Sequence, residues 1–321
     1  MARVLTLTLN PALDLSIRLG ALKPGEVNRT ESTRLDAGGK GINVARVLAG
    51  LGHDVTVSGL LGADNETAFV RAFKELGLRD AFIRVPGETR INAKLSEKDG
   101  RVTDLNGPGP QIPAHSLEEL AERLGTLLSG NDVVAISGSL PPNVTPARLA
   151  GFISAIRERQ VPVWLDTSGP ALAAGLGARP SGVKPNELEL ADWAGHPLET
   201  PEERIQAVLR LNTEGIEDVL LSLGAEGVIW TQRGHALRAT PPRVSVVSTV
   251  GAGDTLLAGT LHGILSGWPR ERSLRFATAL AAESVRHVGV GDPNAQDFEG
   301  LQQQTRVQLV SEEQLNRETH R

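Results

Sequence analysis

Asp36-Ala37-Gly38-Gly39-Lys40-Gly41-Ile42-Asn43-Val44-Ala45 is the stretch on which the reading of the fold turns. Three glycines surround a lysine, and apolar residues then recur at 42, 44, 45, 47, 48 and 51. That spacing is one face of a helix over 41–51. A glycine-rich turn running into a helix presents backbone N–H groups and the positive end of the helix dipole, a natural anion or polyol site. The G-x-x-x-x-G-K-[ST] spacing of a P-loop is absent. An ordinary tight turn before a helix explains the segment equally well, so the flanking pattern decides.

On either side, short apolar runs alternate with helical periods. Strands are predicted at 4–9, 55–61, 132–136, 161–165 and 219–223. Helices are predicted at 65–76, 116–128, 145–158, 186–194 and 202–213. Asn65 is the expected cap of the first of these, and Ser116 with Glu119 has capping-box spacing. Strands alternating with helices in this way indicate βαβ units and a parallel, doubly wound sheet. Two stretches break the rhythm. Residues 13–19 and 27–35 read as strand–turn–strand around Lys23-Pro24-Gly25, and 91–105 repeats the pattern around Lys98-Asp99-Gly100. The expected organisation is an α/β core formed by 1–12, 36–89 and 107–321, with a β-rich lid from 13–35 and 90–106. The polar tail from Asp297 is expected to be a closing helix with a frayed end.

Composition excludes several function classes. None of the 321 residues is cysteine, so disulfides, thiol nucleophiles and cysteine-ligated metals are out, and a reducing cytoplasmic location is expected. A net charge of −5 and the absence of tyrosine argue against nucleic acid. The N-terminal run is read as a strand and not a signal peptide, and no apolar run is long enough to span a bilayer. Only six of the 33 basic residues are lysines. Lys40, Lys94 and Lys184 fall in motif-like segments, where a compact ammonium has a use that arginine does not serve.

Four segments carry candidate chemistry besides the turn at 36–45. In Ser248-Thr249-Val250-Gly251-Ala252-Gly253-Asp254-Thr255, small residues again precede a helix. Amides there can hold a transferring phosphoryl group, and Asp254 is placed to take a proton from a hydroxyl; the structural reading is a helix cap. In Lys184-Pro185-Asn186-Glu187-Leu188-Glu189, Asn186 and Glu189 share a helix face and suit either Mg2+ or a capping box. Ser222-Leu223-Gly224-Ala225-Glu226-Gly227 permits close approach of a nucleotide or is a plain loop. Arg90, Asn92 and Lys94 alternate onto one strand face, where two cations can clamp a phosphate. Asp14 lies just past the first strand, where it can bind sugar hydroxyls, and Ser139 sits in a tight polar turn that closes a strand; as strand and turn residues both also have bland readings. The seven histidines form no ligand-spaced pair.

Together these segments resemble the ribokinase-like PfkB carbohydrate kinases. Gly38-Gly39-Lys40-Gly41-x-Asn43 and Gly251-Ala252-Gly253-Asp254 match the two family signatures in order and in their separation of about 210 residues. Within the family the chain is most similar to the bacterial 1-phosphofructokinases, through Asn10-Pro11-Ala12-x-Asp14, Thr89-Arg90-Ile91-Asn92 and the hairpin from Glu97 to Asn106. The resemblance implies a three-layer α/β/α fold with a small β-sheet lid. It implies ATP-dependent phosphorylation of fructose 1-phosphate at O6, with tagatose-6-phosphate kinase or 6-phosphofructokinase activity as the alternative and a non-catalytic sugar-phosphate sensor as the remote one. Asp254 would be the base, and the amides of Gly251, Ala252 and Gly253 the anion hole. Asp14, Gly38, Gly39, Asn43 and Ser139 would hold the sugar, with Lys40 and Arg90 near its phosphate. Lys184, Asn186, Ser222, Gly224, Ala225, Gly227 and Gly253 would line the ATP site, and Asn186 and Glu189 would order Mg2+ through water. A monovalent-cation site occurs in some relatives and stays open here. The lid implies a homodimer.

Overall fold

The computed structural model describes residues 1–310. In chain order it begins with β1 (Arg3–Thr8), β2 (Ala12–Leu19), β3 (Thr30–Gly38), α1 (Lys40–Gly50), β4 (Asp54–Gly62) and α2 (Thr67–Glu75). There follow β5 (Arg79–Asp80), β6 (Ile83–Val85), β7 (Arg90–Glu97), β8 (Val102–Asn106), α3 (Ala114–Leu127) and β9 (Val133–Ser137). Next are α4 (Pro146–Glu158), β10 (Val163–Asp166), α5 (Gly169–Gly177), β11 (Gly182–Val183), α6 (Glu187–Ala194), α7 (Pro201–Thr213) and β12 (Asp218–Ser222). The last are β13 (Val228–Gln232), β14 (His235–Thr240), α8 (Ala252–Leu265), α9 (Arg270–Ser284), α10 (Phe298–Gln304) and β15 (Arg306–Leu309).

The large sheet runs β15-β14-β13-β12-β11-β10-β9-β1-β4-β5, with β6 also on β4. From β12 to β5 every pairing is parallel; β13, β14 and β15 add an antiparallel edge. The central strands β9 and β10 are buried along their whole length, as a sheet covered on both faces requires. One core cluster joins α3, α4, α5 and α7 to one face; the other joins α1, α2, α8 and α9 to the opposite face. This is the expected three-layer α/β/α arrangement.

The small sheet has order β3-β2-β7-β8. Its middle pair, β2 and β7, is parallel, with Asp14 opposite Asn92 and Ser16 opposite Lys94. It starts at Ala12 and runs on to Gly38, so its strands extend past the expected 13–35 limits into the glycine turn itself. Alternation divides its faces. Asp14, Asp36, Asn92 and Lys94 share one face; Leu15, Leu35, Ala93 and Leu105 share the other.

Several local expectations are corrected. Asn65 does not cap α2; its side chain brackets the backbone of Thr89, accepting from the N–H at 2.9 Å and donating to the carbonyl at 2.8 Å. Ser116 lies buried inside the first turn of α3, whose cap is Pro113. Helix α5 and the short strands β5 and β6 were not expected, while the strand expected to end at Pro185 is β11 and ends at Val183. The tail does form α10, but then adds β15 to the sheet edge; the expected frayed end falls outside the described residues.

Candidate active site

Because the strands from β12 to β4 are parallel, their carboxyl ends lie on one edge of the sheet, where open α/β folds bind ligands. Asn10 follows β1, Ser139 follows β9, Asp166 ends β10, Lys184 follows β11 and Ser222 ends β12. The chain reverses its direction of travel across the sheet at β1, and the glycine turn at 38–41 sits against that strand end. A Cβ at Gly39 would lie 3.1 Å from Pro11 Cα, and Gly39 has φ +116°, so glycine is required there twice over.

Helix α8 begins at Gly251, which caps it at φ +84°. Of the expected anion-hole amides, that of Ala252 donates instead to the Thr249 carbonyl at 3.3 Å, whereas among the described residues the Gly253 and Asp254 amides have no backbone acceptor, the state expected of a first helical turn. Asp254 is 5% exposed. Its Oδ2 accepts a 2.8 Å hydrogen bond from Asn43 Nδ2, so the two glycine segments meet at one carboxylate. Burial, and next the charge of Asp166, push the Asp254 carboxyl up to about 6. The helix cap is Gly251 and not Asp254.

Asp166 escaped the sequence reading. It is completely buried, and it lies between two ammonium groups, 2.9 Å from Lys40 Nζ and 3.2 Å from Lys184 Nζ. Burial alone would raise its pKa, but Lys184 and Lys40 outweigh burial and hold it below the usual carboxylate range. Burial opposes the charge on Lys40, yet Asp166 and Asp254 keep that lysine firmly protonated. A Cβ on Gly253 would lie 3.3 Å from Lys184 Nζ, so this ammonium stands against the free amides of α8. Lys40, expected beside the sugar phosphate, is held by Asp166 and feels the charge of Asp254. The one sequence signal was an acid ending a buried strand before Thr167-Ser168-Gly169-Pro170.

On the small-sheet side, Asn92 Nδ2 donates to Asp14 Oδ1 at 3.3 Å. Burial raises Asp14, Asn92 and Arg90 oppose the rise, and Asp36 adds to it. A Cβ on Gly38 would overlap Asp14 Oδ2. Arg90 is tethered: it donates to the carbonyls of Pro11, Gly107 and Asn10 and to Ser139 Oγ, at 3.0–3.3 Å. Four of its five N–H groups are thus used, which binds the small sheet to the ends of β1 and β9 and leaves one donor. Asn10, which carries no role of its own in the sequence, donates to Ser139 Oγ at 3.2 Å and to the Leu140 and Pro108 carbonyls at 3.1 Å. Lys94 has a 3.8 Å contact with Asp104 and a side chain 23% exposed.

On the opposite side, Asn186 and Glu189 form a reciprocal capping box, each bond 2.9 Å. A bridge between Asn186 and Ser222 joins the 184–189 and 222–227 segments, and Ser222 Oγ donates to the Pro185 carbonyl at 3.3 Å. Gly224, Ala225 and Glu226 form a single 3-10 turn closed by Gly227 at φ +105°. Gly227 has no room for a side chain, because its Cβ would overlap the Ala239 carbonyl.

A family model for the pfkB family carbohydrate kinases matches residues 7–297. The chain belongs to the pfkB family of carbohydrate kinases. It is therefore a phosphotransferase. The chain is 46% identical to the 1-phosphofructokinase of Vibrio cholerae serotype O1, over 96% of this chain and 97% of that one. It is 45% identical to the 1-phosphofructokinase of Escherichia coli K12, over 90% and 93%. The crystal structure of phosphofructokinase-2 from Escherichia coli in complex with fructose-6-phosphate superposes with a TM-score of 0.87 at 27% identity, covering 94% of this chain and 99% of that chain. No helix among the described residues is long and apolar enough to cross a membrane.

Proposed function

We propose that this pfkB kinase transfers the γ-phosphoryl group of ATP to the 6-hydroxyl of fructose 1-phosphate, giving fructose 1,6-bisphosphate and ADP. The observation that carries the reading is the contact of Asp254 with Asn43, which joins the two glycine-rich segments at one buried carboxylate. Asp254 takes the O6 proton as the O6–phosphorus bond forms and the bond from the γ-phosphorus to the β-phosphate oxygen breaks. A carboxyl held at about 6 is ionised at neutral pH yet a stronger base than an exposed aspartate. The free amides at the start of α8, with Lys184 beside them, face the charge on the transferring group; such fixed donors carry much of the catalysis in phosphoryl transfer. Lys40 adds a second cation, and Asp166 fixes both ammonium groups.

Asp14, Gly38, Gly39, Asn43 and Ser139 are assigned to the sugar, and the remaining N–H of Arg90 to its phosphate. Lys184, Asn186, Ser222, Gly224, Ala225, Gly227 and Gly253 are assigned to ATP. Mg2+ suits the residues present only as a companion of the nucleotide: the described residues hold no cluster of three or more metal-ligating side chains. The capping box uses Oε2 of Glu189 and leaves Oε1 free, and Glu189 acts on Lys40 electrostatically. Asn186 and Glu189 would thus hold the ion through its waters, where it neutralises phosphate charge. The small sheet is assigned as a lid that excludes water. Its outer face carries Leu35, Ile91 and Leu105, exposed at 42%, 45% and 57%, and a second copy of the chain is assigned to cover it in a homodimer in the cytoplasm.

The test is an ATP-dependent assay comparing kcat/KM for fructose 1-phosphate, fructose 6-phosphate and tagatose 6-phosphate. A clear preference for the first is expected. A preference for either 6-phosphate moves the substrate assignment but keeps the base, and no turnover with any of the three overturns the kinase reading.

A further inference from the structure

We infer that Glu283 is a positioning residue for phosphoryl transfer: its buried carboxylate holds the 287–292 loop, and through that loop the first turn of α8, in the shape that aims the free amides. The inference rests on the proposed kinase reading and adds to it a residue that acts only through others. Glu283 lies in the last turn of α9 and is 4% exposed. A carboxylate so buried needs partners that offset its desolvation.

Its two oxygens are divided between the two ends of one loop. Oε1 accepts from His287 Nε2 at 2.9 Å, and Oε2 accepts from the Asp292 N–H at 2.7 Å. A carboxylate only accepts, so the proton of this contact sits on the imidazole. Between the two donors the chain is poorly packed, with Val288 54% exposed. Outside them, Arg286 pairs with Asp297 at 2.8 Å on the surface, where an ion pair contributes little. The carboxylate is therefore the main clasp of the loop.

The clasped loop sits directly on the start of α8. The Gly291 N–H donates to Thr255 Oγ1 at 3.1 Å, and a Cβ on Gly291 would lie 2.7 Å from Thr255 Cγ2. Thr255 is the residue after Asp254. A Cβ on Gly251 would lie 2.8 Å from the Gly289 carbonyl oxygen, so this carbonyl stands against the helix cap. Two residues past Glu283, the Val285 carbonyl accepts from the N–H groups of Val247 and Ser248, at 2.7 and 3.1 Å. The segment 285–291 thus braces the chain entering the turn, the cap at Gly251 and the residue after the base. The free amides of Gly253 and Asp254 fall between those contacts.

Helix stability alone does not account for an acid at this place. The dipole at the carboxyl end of a helix disfavours negative charge, burial penalises it, and an apolar side chain would fill the same space. The loop explains the choice, because an apolar residue there would leave the Asp292 N–H and His287 without their acceptor. Fixed donors stabilise a transferring phosphoryl group only where they are held in place, and a shift of about 1 Å can cost about 10²-fold in rate.

Steady-state kinetics with ATP and fructose 1-phosphate, run well below each Tm, tests this on the full chain and on Glu283→Leu, Glu283→Gln, Glu283→Asp and His287→Ala. Glu283→Leu removes both acceptors and should lose about 10–100-fold in kcat, while KM for the sugar phosphate stays within about twofold, because the residues assigned to the sugar do not hang on this loop. Glu283→Gln keeps the span and should recover most of the loss. Glu283→Asp is one methylene shorter, cannot reach both ends and should stay slow. His287 has a side chain 40% exposed, so His287→Ala cuts one of the two bonds at a tolerant position; its smaller loss of kcat decides the matter if Glu283→Leu does not fold. An unchanged kcat in Glu283→Leu or His287→Ala, or a Glu283→Gln variant as slow as Glu283→Leu, overturns the inference. An unaltered chain that phosphorylates no sugar phosphate overturns the kinase reading and this inference with it, a result distinct from an active chain indifferent to residue 283.

Discussion

Replacing Asp166 by asparagine removes the negative charge between Lys40 and Lys184 while keeping the side chain's size. Lys184 suffers most, because its side chain is 5% exposed against 41% for Lys40. Breaking a buried pair by removing one partner costs about 3–5 kcal/mol. The solvent around Lys40 screens its share, so the low end, about 3 kcal/mol, is expected here. With an unfolding entropy of about 2.1 cal/mol/K per residue, that loss lowers Tm by roughly 5 °C for a chain of this length. The substitution also removes the second-largest influence raising Asp254. Asp254 must be ionised to accept a proton, so activity falls as pH drops through its pKa. In Asp166→Asn that acid limb of kcat/KM moves to lower pH. Calorimetry and a pH–rate profile on the same preparation check both effects. A Tm within about 1 °C of the unaltered chain, with an unmoved acid limb, would refute the cluster as the device that sets the lysines and the base.

Gly38→Ala places a methyl where Asp14 Oδ2 now lies; the flexible carboxylate yields, so Tm should hold while KM for the sugar phosphate rises about tenfold or more in steady-state assays. His262 is held down to about 4 by burial, His53 and Arg272, so the unfolded chain binds its proton first, and Tm should fall as pH drops from about 6.5 towards 4. His262→Leu should flatten that slope, and a slope unchanged in the variant would clear the 2.9 Å hydrogen bond between His53 Nε2 and His262 Nδ1 of this role. Leu105→Glu puts a charge on the apolar face of the small sheet, and sedimentation should show the proposed dimer for the unaltered chain and monomer for the variant; the same species for both would place any dimer contact elsewhere.

Much of the fold was legible because parallel strands buried on both faces read as short apolar runs, and amphipathic helices between them keep their period. What escaped had no such signal. Strands β5 and β6 are two and three residues long, and β15 follows a polar helix and pairs only at the sheet edge. Asn65 looked like a cap because its side chain does form backbone bonds, but with Thr89, 24 residues away. The site was legible where glycines announce a helix start, as at Gly39 and Gly251. Asp166 was not, because its significance comes from β10 lying between β9 and β11, which brings two lysines from distant segments onto it. Arg90 was recognised as a cation, but its tether depends on carbonyls at positions 10, 11 and 107 that only the folded chain brings together.

The central claim is that Asp254 is the base. Asp254→Asn keeps the shape of the side chain and the neighbourhood of Asn43 while removing the basic oxygen. Measured side by side with the unaltered chain, the variant should bind ATP and fructose 1-phosphate with similar affinity and lose about 10²–10⁴ in kcat, the range that general-base catalysis contributes. A kcat within a few-fold of the unaltered chain would contradict the account and take Asp254 out of the proton transfer.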